Sequence, residues 1–109
     1  MKSIEKRLET LEYYQSLLLK IVEPAKFPFY HLVMSKGLSK EEIEEVLMIC
    51  EELSRLHEEQ KAQGLVIFTD LLTRFAGQLN PKLDLYETIH ALHRQNLYSS
   101  LMDDFVDLM

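Results

Sequence analysis

Glu87, His90 and His93, spaced three apart in ETIHALH, come closest in type and spacing to a catalytic set. On a helix, steps of three keep side chains along one face. Glu-x-x-His is half of a di-iron carboxylate motif, whose complete centre takes two such motifs and a Glu from each of two further helices. The chain has a single copy, so a metal site on Glu87, His90 and His93 requires a symmetric dimer to supply the second. The competing assignment is structural: Glu87 caps its own helix, and two histidines near a helix C-terminus are favoured there as cations. Metal binding demands that ligands converge, which spacing alone does not secure. A metal-binding protein or metal-dependent enzyme is therefore the alternative reading, with no catalytic residue and no cofactor assigned.

Cys50 and His57 share a stripe, but seven residues separate them by roughly 10 Å along a helix axis, beyond hydrogen-bond reach of a nucleophile for its base. Cys50 reads as a buried small hydrophobe, and His31, alone on an apolar segment, as a hydrogen-bonded core histidine. The chain has no calcium-hand loop, Gly-rich phosphate loop, H-E-x-x-H or G-x-S-x-G. The acidic run from Glu41 to Glu52 reads first as the solvated side of a helix. Its Glu44, Glu45, Glu51 and Glu52 are also the candidate face for a basic protein partner.

A multihelical bundle of five to six helices, two of them long, positions these residues. Ser3–Val22 carries Ile4, Leu8, Leu11, Gln15, Leu18 and Val22 at alternating steps of four and three, a heptad pattern too short for a full coiled-coil signal. Its last turns are apolar nearly all round, which predicts burial on every side and hence a second subunit. Pro24 breaks the chain, and Pro28 opens a short apolar helix to Lys36, closed by Gly37. The longest helix, Lys40–Gln63, has the clearest signals: a Ser39/Glu42 capping box, a Leu38/Ile43 staple and a Gly64 stop. Its apolar positions from Ile43 to His57 cover about half the circumference.

Leu65–Phe68 reads equally as an extended segment or as the lead-in of a helix over Phe68–Leu79. Within that helix, Ala76-Gly77 offers a flat place for another backbone. Asp84 and Glu87 make a second capping box for Leu85–Gln95, Asn96 takes a left-handed cap, and Ser99–Met109 is the last helix. Lys2, Lys6 and Arg7 at a helix N-terminus, and Asp103, Asp104 and Asp107 at a helix C-terminus, both oppose the helix dipole. Setting the two ends against each other, within or between subunits, would offset that.

At 109 residues with 47% hydrophobic content, the chain is long enough for one modest core, a single all-α domain over 1–109. A net charge of -6 disfavours nucleic acid, since phosphate contacts need clustered Lys and Arg. No apolar run approaches the roughly 20 residues of a membrane span. Charge within the first six residues leaves no signal-peptide core, and one cysteine allows no internal disulfide, so a cytoplasmic location is expected.

The segments GLSKEEIEEVLMICEEL, QKAQGLVIF, FAGQLNPKLD, and ETIHAL with NLYSSLM together resemble the YhaI-like family of small uncharacterised proteins from bacilli. KAQG and FAGQLN are the most specific. The resemblance implies a multihelical all-α fold and an intertwined homo-oligomer, with no established activity and no family site residues to carry over. The expectation is a non-catalytic cytosolic protein-interaction protein, a homodimer in preference to a trimer, with two long helices at its centre.

Overall fold

The computed structural model describes residues 3–109. They form six helices and no strand: α1 (Ile4–Ile21), α2 (Pro28–Ser35), α3 (Lys40–Ala62), α4 (Thr69–Gln78), α5 (Leu85–Arg94) and α6 (Ser99–Asp107). The all-α class and every helical segment follow the sequence signals, with ends shifted by a residue or two. Leu65–Phe68 is not helical: it has no helical turn and pairs with no strand, and Phe68 is the N-cap of α4.

α3 is the axis of the core. Val46, Cys50, Leu53 and His57, at steps of three and four, are its buried stripe. α4 and α6 pack on α3, while α5 packs on α6 and carries α2 on its other side. The shared core takes Phe29 and Val33 from α2, Leu71 and Phe75 from α4, Ile89 and Leu92 from α5, and Leu101, Met102 and Phe105 from α6.

Local chemistry fixes the joints. Ser39 Oγ accepts from the Glu42 N–H at 3.1 Å, and the Glu42 carboxylate accepts from the Ser39 N–H at 2.9 Å, completing the first capping box. The same carboxylate also accepts from Asn80 Nδ2 at 2.8 Å and Lys82 Nζ at 2.9 Å, tying the α4–α5 loop to the start of α3. These bonds, led by that from the Ser39 backbone, hold the Glu42 carboxyl down at about 2. Gly37 and Gly64 take φ of 71° and 87°, the left-handed values their stop positions require.

α2 has no side-chain cap of its own. Gln95 supplies one from the end of α5, its Oε1 accepting from the N–H groups of Phe29 at 2.8 Å and Tyr30 at 3.2 Å. Asn96 and Tyr98 both adopt positive φ between α5 and α6. A left-handed tyrosine is costly for a bulky side chain, and its hydroxyl is anchored on the Leu47 carbonyl at 3.3 Å.

One expectation is corrected, and two others find no counterpart within the chain. α1 is not central: it has no buried residue and joins the rest mainly through α2. The reason is that α4 and α6 already pack on α3, and α5 and α2 complete the shared core behind α6. Gly77 meets no other backbone within the chain, because nothing lies within 4 Å of where its Cβ would be. The two charged ends do not meet within the chain: Asp103 pairs with His93 and Asp104 with His57 and Lys61. Lys2 lies outside the described residues.

Candidate interaction surfaces

α5 presents Glu87 and His90 to a groove of about 600 Å³ between α5, α2 and the α1–α2 connection. Asp84 Oδ2 accepts from the Glu87 N–H at 3.0 Å, so half of the second capping box forms. The Glu87 carboxylate makes no return bond among the described residues and lines the groove. His93 is not in that groove. One turn further on, it reaches α6, where its Nε2 lies 2.7 Å from Asp103 Oδ1. The structure therefore brings Glu87 and His90 together and separates His93 from them. No three His, Cys, Asp or Glu side chains among the described residues are placed to hold a metal ion.

Cys50 and His57 are both buried on α3. Burial pushes the Cys50 thiol up to about 12, so at neutral pH it remains protonated and is no nucleophile. The partner of His57 is Asp104 on α6, with Nε2 to Oδ2 at 2.6 Å. The imidazole also meets the edge of Phe68, centroids 4.5 Å apart. Lys61 Nζ lies 3.6 Å from the same Asp104 oxygen and donates to Ser100 Oγ at 3.1 Å. His57, Lys61, Ser100 and Asp104 thus form a polar staple between the C-terminal half of α3 and α6. No sequence spacing announces it, because His57 and Asp104 are 47 residues apart. His31 approaches the Leu19 carbonyl at 3.4 Å, one of the two polar links between α2 and α1. The other runs from Gln15 Nε2 to the Met34 carbonyl, also at 3.4 Å.

Glu44, Glu45, Glu51 and Glu52 are all exposed. Glu44 lies 3.8 Å from Lys40, Glu52 3.7 Å from Arg74, and Glu51 3.4 Å from the Tyr98 hydroxyl. Exposed pairs at such distances contribute at most about 1 kcal/mol each. Among these carboxylates a shallow groove opens over Ile49 and Met48, the latter 71% exposed.

The largest uncovered apolar surface belongs to α1. Ile4, Leu8, Leu11, Tyr14, Leu18 and Ile21 are each more than half exposed, on an arc of about 140° at about 3.6 residues per turn. The chain is elongated, 62 × 24 × 19 Å. None of the helices is long and apolar enough to cross a membrane among the described residues.

Among the described residues, the architecture is six helices with an uncovered apolar arm, α1. The chain belongs to a family of proteins of unknown function, DUF1878, whose model matches residues 1–109.

Proposed function

We propose that the protein acts without catalysis, as a cytosolic protein that assembles with itself through α1 and binds other proteins. We place it within the family among the YhaI-like proteins of bacilli, on its KAQG and FAGQLN segments. The observation that carries the assembly is the α1 stripe: six large apolar side chains on one face, none buried within the chain. Taking about 200 Å² for a fully exposed large side chain, these six leave on the order of 750 Å² uncovered. A standard interface needs about 800 Å² from each partner, so a second copy of α1 laid along the first is the economical cover, and a dimer is favoured over a trimer. The exposed Glu44, Glu45, Glu51 and Glu52 then face outward, with a charge suited to a basic protein partner.

Light scattering tests the assembly. A mass near twice 12.8 kDa is expected for the native chain, falling to 12.8 kDa when Leu11→Glu and Leu18→Glu are combined. A clean native monomer at micromolar concentration overturns it. Affinity capture from native cells, compared with a chain in which the four glutamates are charge-reversed, tests the basic partner.

A further inference from the structure

We infer that the groove between α2 and α5 is a binding site for small monocarboxylates with an apolar tail, a role separate from assembly through α1. Its volume of about 600 Å³ falls within the roughly 300–1,000 Å³ of small-molecule sites. The lining includes apolar side chains, with Pro28 and Leu32 from α2 and Ala91 from α5. Ala91 is almost fully buried.

The polar groups along α5 are ordered. Arg94 stands at one end of the groove wall, His90 one turn before it, and Glu87 one turn before that. Neither Arg94 nor His90 has a carboxylate within ion-pair distance among the described residues. Residues four apart on a helix have Cβ atoms about 5–6 Å apart, so both can reach a single carboxylate. Arg offers it a bidentate fork.

Glu87 lies about 10 Å from Arg94 along the helix axis. At that end of the groove its negative charge repels a second acidic group. The apolar tail therefore runs over Leu32 and Ala91 toward Glu87, and dicarboxylates of matching length are rejected.

Octanoate is the probe, titrated into the full-length protein and followed by amide chemical shifts. Shifts centred on His31, Leu32 and His90–Arg94 are expected, with a dissociation constant on the order of 1 mM for a ligand of about ten heavy atoms. Arg94→Gln, an exposed substitution, weakens binding about tenfold. Octanedioate binds about tenfold more weakly than octanoate, and octylamine does not bind the groove. The Leu11→Glu/Leu18→Glu chain binds octanoate as the native chain does, which keeps this result independent of assembly. The inference is overturned if octanoate leaves the groove resonances unmoved at 20-fold the expected constant, if octylamine binds as well, or if Arg94→Gln binds unchanged.

Discussion

Replacing His57 by alanine should be among the most damaging single changes to this fold. The ring is 1% exposed, touches the edge of Phe68 and lies 2.6 Å from an Asp104 oxygen. Removing a buried ring of this size forfeits about 2 kcal/mol of burial and cavity energy. Loss of a hydrogen bond to a charged group adds about 1 kcal/mol. That is below the usual range of about 1.5–3 kcal/mol, because Asp104 is 29% exposed and water can take up the freed oxygen. The sum, about 3 kcal/mol, corresponds to a melting temperature lower by roughly 12 °C for a chain of this size. Asp104→Asn keeps the shape and one acceptor oxygen and loses only charge, including the half-exposed Lys61 contact; about 1 kcal/mol is expected. Because the two residues share one bond, the double variant should cost about 3 kcal/mol, not 4. Urea unfolding at pH 7 measures all three, at one fixed protein concentration because any association would raise apparent stability. A His57→Ala cost below about 1 kcal/mol, or single costs that add within about 0.5 kcal/mol, would refute the polar staple.

Three further outcomes follow from the same geometry. The Cys50 thiol should not react with a disulfide reagent in the folded protein and should react fully in denaturant. Its folded pKa is raised to about 12, so its contribution to stability is complete below the ordinary thiol value and lost as pH rises from about 9 to 12. Glu42 runs the other way. Its carboxyl is lowered to about 2, so its contribution is present above the ordinary value near 4.5 and is lost as pH falls through about 2. Acid titration followed by circular dichroism should show a smaller loss in that window for Lys82→Met. Glycine replacement should change sign with conformation: Gly64→Ala, forced to a φ of 87°, destabilises by about 1 kcal/mol. Gly77→Ala, inside α4 with open space around it, stabilises by about 0.5–1 kcal/mol in thermal melts.

What the sequence disclosed was local, and what it hid was long-range. Ser39, Glu42, Gly37, Gly64 and Asn96 act within four residues of themselves, and their caps and stops are where the residue types put them. The period of α3 likewise picks out Val46, Cys50, Leu53 and His57 as core. Spacing could not disclose which element each polar group meets. Glu42 looked like a cap and is also the anchor for Asn80 and Lys82; Gln95 looked like a helix end and is the cap of α2. His93 illustrates the same limit on the candidate site. Its spacing from His90 suits a shared ligand face, but Asp103 on a neighbouring helix claims it. The two long helices looked equally central because both carry apolar stripes; only the packing of the short helices shows that one stripe is filled and the other left open.

That asymmetry has a consequence for α1. The core from Phe29 to Phe105 takes no side chain from it, and its links to α2, through Gln15 and Leu19, fall in its C-terminal half. The N-terminal half is held by the Ser3 cap and its own hydrogen bonds. Isolated helices are marginal in water until they exceed about 12–15 residues, so the 18-residue α1, tied down only in its C-terminal half, gains helicity from an external surface over residues 4–12. If that surface is a second copy, helix formation and association are one equilibrium. Dilution toward monomer should then expose the amides of residues 4–12 to fast hydrogen exchange while those of Val46–Leu53 stay protected. Core substitutions such as His57→Ala should lower stability, and Leu11→Glu should lower association without lowering the protection of α3. Slow exchange throughout α1 in a proven monomer would mean that the helix supports itself, and the reason for assigning it to assembly would be gone.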